Sequence, residues 1–200
     1  MRYLISLLLL TVAGIAQSSQ LQGVGSFEEL NKPLFVVALY SADTSLNKPG
    51  RLEFKVVDEK ISVRHFRKIW QDVFSVAQSR DVWKAYGKDL DEFLKIIKGP
   101  LISNDQLVLE RHGDKTVVSL NYREHAQLSD EFLDLVVSTL TGRIAPVPVL
   151  RDGLLGQLSE SERRTLLHKL DSGEPTLGRI SETRRWLRMR SDEDSRVTLL

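Results

Sequence analysis

The spacing of apolar residues changes several times along the chain, and each change marks an element. Leu34 to Tyr40 (LFVVALY) is an almost unbroken run of branched and aromatic residues, with Pro33 at its start, where a strand tolerates proline. This run predicts a central strand buried on both faces. Asp43 to Gly50 (DTSLNKPG) has the Asn, Pro and Gly content of a loop. Arg51 to Val57 then alternates Leu52, Phe54 and Val56 against Arg51, Glu53 and Lys55, the period of a half-buried strand. From Val63 the period becomes helical, with Val63, Phe66, Trp70, Val73, Phe74 and Ala77 on one face and Ser62 placed to cap it. A second helix follows with Val82, Tyr86, Leu90, Phe93, Leu94 and Ile97 on one face, Asp81 as its expected N-cap and Gly99-Pro100 as its stop.

Gln106 to Arg111 and Lys115 to Tyr122 are extended runs around His112-Gly113-Asp114, which predicts an antiparallel hairpin. Ser129-Asp130-Glu131 supplies a cap and first-turn acids for a third helix, with Phe132, Leu133, Val136, Val137 and Leu140 on its face and Gly142 at its end. Strands on both sides of a helical segment predict an α+β fold. After Gly156 the chain becomes charge-dense, with a short surface helix expected over Ser159 to Leu170 and a linker over Asp171 to Gly178.

Composition bounds this picture. A chain of 200 residues, 42% hydrophobic and 28% charged, has material for one core and not for two. Met1 to Ala16 reads as a leader, with Arg2 as its positive end, Leu4 to Val12 as its apolar segment and Gly14-Ile15-Ala16 as a small-residue cleavage site. The apolar segment is shorter than the roughly 20 residues a spanning helix needs, so cleavage and export are expected rather than anchoring. The expected organisation is a leader at 1–16, one domain at 20–156 and a charged extension at 157–200. The 28 Lys and Arg nearly cancel the 27 Asp and Glu, so no molecule-wide field argues for nucleic acid. The chain has no cysteine, which excludes a disulfide framework.

Chemical signals are sparse. His65, His112, His125 and His168 lack the spacings of a metal site and are expected as surface or helper residues, and no metal or cofactor is expected. Asp89, Asp91 and Glu92 are expected to be solvated. Phe35, Val37 and Leu39 share one face of the central strand, with Trp70, Phe74 and Trp83 on helices suited to cover it, an arrangement that is more often a plain core than a ligand cleft. Arg184, Arg185, Trp186 and Arg188 form the one local basic run, which fits either an exposed helix end neutralised by Asp192, Glu193 and Asp194 or contact with an anionic membrane surface.

The succession of Gly23-Val24-Gly25, LFVVALYSAD (Leu34 to Asp43), a strand, two consecutive helices, a hairpin ending in LNYRE (Leu120 to Glu124), a helix and a closing LLG (Leu154 to Gly156) resembles the bacterial, exported branch of the chalcone isomerase-like family. The resemblance implies a curved antiparallel sheet covered on one face by a layer of helices, an open-faced sandwich with an apolar cleft between, and a periplasmic location. The family's plant enzymes close a flavanone ring with an Arg near the glycine motif, a Thr on the following strand, and a Tyr and an Asn on the helical layer. Here the Arg position falls within Gly23 to Ser26, which holds no Arg. The strand Thr falls at about Phe35, and the Tyr falls near Arg80-Asp81. Only Thr139, before Leu140, is similar to a Thr-hydrophobe pair that lines the family's cleft. Loss of one oxyanion donor costs about 10²–10³ in rate, so chalcone isomerisation is not expected.

Some relatives hold fatty acids in the same cleft. The resemblance thus implies a non-catalytic protein binding a fatty acid or similar apolar ligand, with Phe35, Val37, Leu39, Trp70, Phe74, Trp83 and Thr139 as its candidate lining. The alternatives are an isomerase or intramolecular lyase with a different residue set that includes Thr139, and a structural or interaction protein whose cleft is filled by its own side chains.

Overall fold

The computed structural model describes residues 20–41 and 48–197, so the expected leader and most of the Asp43–Gly50 loop lie outside the described residues. In chain order the elements are β1 (Gln20–Glu29), β2 (Lys32–Ser41), β3 (Pro49–Val56), β4 (Lys60–Ile61), α1 (Val63–Ala77), α2 (Arg80–Lys95), β5 (Leu101–Ile102), β6 (Gln106–His112), β7 (Lys115–Leu120), β8 (Arg123–Ser129), α3 (Glu131–Thr141), α4 (Pro148–Leu154), α5 (Glu160–Asp171) and α6 (Leu177–Val197). Six antiparallel strands form one sheet in the order β1-β2-β3-β6-β7-β8, and β4 pairs with β5 in a small ribbon. Bulges after Leu21, Phe27, Tyr40 and Val118 bend the strands, as an extra unpaired residue does.

Period-two alternation in register builds the inner face. Phe35 pairs with Phe27 and Val56, Val37 with Phe54, Leu39 with Leu52, and Leu52 with Leu109, so apolar side chains line up across the strands. The apolar faces of α1, α2, α3 and α4 cover them in one continuous core. The backbone of α4 lies directly on β1. A Cβ added at Gly23 would stand 2.2 Å from the Leu154 carbonyl oxygen, and one added at Gly153 would stand 2.5 Å from the Gly25 Cα. The glycine motif near the N-terminus therefore serves helix–strand approach.

Several local expectations need correction. Ser62 does cap α1, its Oγ accepting from the His65 amide at 3.1 Å. Asp81, however, lies in the first turn of α2, whose N-cap is Ser79, because the chain straightens for only Gln78 and Ser79 between the two helices. Ser129 does not cap α3. Its amide and hydroxyl both donate to Asp89, which is thereby a link from α2 to β8 rather than a solvated acid. β3 is buried on both faces, since Glu53 and Lys55 are covered as well as Leu52, Phe54 and Val56. His125 is buried, not at the surface.

The charge-dense segment after Gly156 packs on the rest of the molecule. Ser159 and Glu162 form a capping box for α5. Its Leu166, Leu167 and Leu170 then sit against Val24, Val36 and Ala38 on the outer face of the sheet. Beneath its end, Lys55 donates to the carbonyls of Leu170 and Gly173, so an ammonium meets the negative end of the helix. Arg179 of α6 is buried against the fully buried Asp105, with its Nη2 at 2.6 Å from Oδ2. Asp105 also accepts from Asn121 Nδ2 at 2.8 Å and the Ile102 amide at 2.9 Å, while Arg179 donates to the Pro100 carbonyl at 2.7 Å. Burial alone would lower the Arg179 pKa, but Asp105 and Glu182 hold it above the ordinary arginine value. Trp186 is buried beside Gly99, and the Arg179 guanidinium lies 5.1 Å from its ring centre.

Arg179→Ala leaves the Asp105 carboxylate buried without its cation, and the expected loss is about 3–5 kcal/mol of unfolding free energy in urea titrations. A loss under about 1 kcal/mol would mean that α6 is not held by this pair. Burial lowers the pKa of Lys55, against the opposing pull of Glu53, Glu174 and Asp171. Between its lowered folded value and the ordinary lysine value, the unfolded chain keeps the proton that the folded chain has released, so stability rises with pH. Wild type should gain stability relative to Lys55→Met as the pH rises toward the ordinary lysine value of about 10.4.

Candidate ligand crevice

The centre of the inner face is filled by aromatic rings. Phe27 meets Phe35 at 5.9 Å, Phe35 meets Phe54 at 6.0 Å, Phe54 meets Trp70 at 5.5 Å, Trp70 meets Phe93 at 5.0 Å, and Phe93 meets Phe132 at 5.7 Å between centroids. Most of these contacts are edge-to-face, the arrangement favoured by ring quadrupoles. Phe35, Val37, Leu39 and Trp70 lie within this packed layer, each at most 2% exposed. Among the described residues the Trp70 indole N–H has no hydrogen-bond acceptor, and its ring packs among those of Phe54, Phe66, Phe74 and Phe93.

Phe74 and Trp83 take a different place, at the edge of the layer where α1, α2 and α3 meet. Their rings are 6.2 Å apart and border a crevice with Tyr86, Gly87, Leu90 and Leu135. Its free volume is only about 10 Å³, room for roughly one water molecule. Gln78, which ends α1, also borders the crevice and joins it to Thr139. The Thr139 hydroxyl accepts from Gln78 Nε2 at 2.7 Å and donates to the Leu135 carbonyl at 2.7 Å. Thr139 is thus buried and fully engaged, a positioning residue behind Gln78 rather than a free donor. The crevice lining carries no charge, so it is suited to an apolar guest.

Gln78, Tyr86, Gly87 and Leu135 were not among the site residues expected from sequence. Gly87 gave the only available signal, since a glycine inside an amphipathic helix has no local reason to be there. No atom lies within 4 Å of the position its Cβ would take.

The positions where the resemblance would put a cation and a hydroxyl hold neither group. Gly23 and Gly25 lie under α4, so a side chain there would run into its backbone, and Phe35 is a core ring. Among the described residues no group of three or more His, Asp or Glu side chains is placed to hold a metal ion. The basic run on α6 also differs from expectation. Arg184, Arg185 and Arg188 are exposed, but Trp186 is in the core, so it has no apolar surface to offer a membrane.

Gly87→Ala should raise stability by about 0.5–1 kcal/mol, because a methyl group there improves helix propensity and meets nothing. A loss of stability in thermal unfolding would show that the space beside α2 is not open.

No protein-family model matches the chain, and no curated protein matches it in sequence. The fold is matched by the crystal structure of a fatty-acid binding protein from Arabidopsis thaliana, at a TM-score of 0.53 and 14% sequence identity, over 70% of this chain and 88% of that one. None of the described helices is long and apolar enough to cross a membrane. The fold is α+β and chalcone isomerase-like, with the six-stranded antiparallel sheet and helical layer described above.

Proposed function

We propose that this protein is an exported, non-catalytic binder of a fatty acid or similar apolar ligand, and that the ligand enters between α2 and the α1–α3 pair. The observation that carries the proposal is the uncharged crevice of Phe74, Trp83, Tyr86, Gly87 and Leu135, which opens onto the aromatic layer in a fold shared with a fatty-acid binding protein. Phe74 borders the crevice and its ring lies 6.0 Å from the Trp70 indole, whose N–H lacks an acceptor among the described residues. A buried donor without a partner costs about 1–3 kcal/mol, and a ligand oxygen reaching it would recover that cost. Export rests on the leader pattern of Met1 to Ala16.

At about 10 Å³ the crevice is too small for an acyl chain, so binding requires the first turns of α2 to move outward. Their packing permits this: Val82, Trp83, Tyr86 and Gly87 are only half-buried, whereas Leu90 and Phe93 further along are buried. The straight Gln78–Ser79 step supplies the hinge. The tightness of the core also favours a second reading, in which the cleft is permanently filled and the protein acts through its surface.

Titration with a long-chain fatty acid, followed by Trp fluorescence, separates the two readings. Binding should change the emission of Trp83. Gly87→Leu and Leu135→Trp, which fill the crevice, should each weaken binding about tenfold or more, a difference of about 1.4 kcal/mol, with the melting temperature kept. Saturable binding that neither substitution alters would place the ligand elsewhere. No binding at all would favour the filled cleft.

A further inference from the structure

Glu28, near the end of β1, stands between two hollows that the crevice does not use. The first is an open hollow of about 290 Å³ floored by Phe27, Ile69 and Val73, with Val76, Pro146 and Val147 in its walls. The second, of about 260 Å³, lies between β1, the start of α4 and α5, where Val149, Leu158 and Leu166 supply apolar surface. Glu28 borders both, so the hollows adjoin there in one trough that runs from α1 past the end of β1 to α5. Val76 and Val149, one in each half, are 57% and 53% exposed although apolar.

The charged side chains that border the trough are all acidic. Glu28, Glu29 and Asp72 border the first hollow and Glu28 and Glu162 the second, with no Lys or Arg in either lining among the described residues. Neighbouring groups offset this charge only in part. His65 meets one oxygen of Glu29 at 2.5 Å, and Lys68, which borders a different hollow, meets one oxygen of Asp72. Glu162 is engaged by the α5 capping box. Glu28 is half-buried, and its carboxylate has no hydrogen-bond or ion-pair partner among the described residues. A partly desolvated carboxylate attracts a cation more strongly than a solvated one, and apolar walls on both sides favour apolar groups flanking that cation.

We propose that this trough binds a partner protein through an extended segment that places a Lys or Arg on Glu28 and apolar side chains in the two hollows. In an extended chain residues i−2, i and i+2 share one face, so the matching pattern is apolar-x-basic-x-apolar. An anionic membrane or an acidic segment would meet like charge along the whole trough.

The test is fluorescence polarisation of the full chain with a labelled, C-terminally amidated probe peptide, Leu-Ser-Arg-Ser-Leu. Saturable binding is expected. Glu in place of the probe's Arg, or Ser in place of both its Leu residues, should weaken binding about tenfold or more. Glu28→Gln, and Val76→Ser combined with Val149→Ser, should weaken it to a similar degree, with the melting temperature kept because these side chains are exposed or unpaired. Glu28→Arg should reverse the preference, so that the Glu probe binds more tightly than the Arg probe, a reversal that a purely structural role of Glu28 would not produce. The proposal is overturned if the Arg probe does not bind, if the Glu probe binds wild type equally well, or if Glu28→Arg leaves the preference unchanged. It is also overturned if phenylethylamine, a small apolar ammonium, binds as tightly as the probe, or if sedimentation velocity shows a self-associated chain that Glu28→Arg dissociates, since the occupant is then a small amine or a second copy. Fatty-acid titration of Glu28→Arg should match wild type, which keeps this result separate from the crevice.

Discussion

The inner face of the sheet must be covered by helices and filled without voids, and the aromatic layer from Phe27 to Phe132 is how this chain meets that constraint. Each ring lies against the next at edge-to-face or tilted geometry, so the sheet and the helices α1, α2 and α3 share a single packed seam. The middle of the sandwich has no room to spare: a small crevice lies where α2 meets α1 and α3, and a larger open hollow lies between α1, the end of β1 and the segment before α4.

Polar anchoring outside the seam explains why so charged a segment as residues 157–197 is part of the folded body. Asp105 serves as a hub between the β5–β6 connection, Asn121 and Arg179, so that α6 is fixed by one fully satisfied buried ion pair. On the opposite side Lys55 performs a similar service for α5 through two carbonyls at its end. Together α4 and α5 press on the two faces of β1, an edge strand of the sheet. The edge is thereby flanked by helices on both sides.

The regular parts of this architecture were legible in the sequence. Val63 to Ala77 and the Phe132–Leu140 face have clean helical spacing, and LFVVALY reads as a buried strand, because in each case one period dominates. β1 was not legible, since QLQGVGSFEE is broken by glycines whose purpose is the close approach of α4, an element far along the chain. The burial of Glu53, Lys55 and Trp186 was hidden for a related reason. Each depends on a long-range partner, and local pattern gives a lysine or an arginine-flanked tryptophan to solvent by default. For the candidate site, sequence singled out Phe74, Trp83 and Thr139, but Gln78 and Gly87 acquire meaning only once α1, α2 and α3 are brought together.

The most direct test of a ligand-binding crevice is native mass spectrometry of the protein purified from its own cells without refolding, followed by denaturing extraction of anything that stays bound. Close to one lipid-class molecule per chain is expected. An empty chain whose melting temperature does not respond to any of a panel of fatty acids would contradict a ligand-binding crevice.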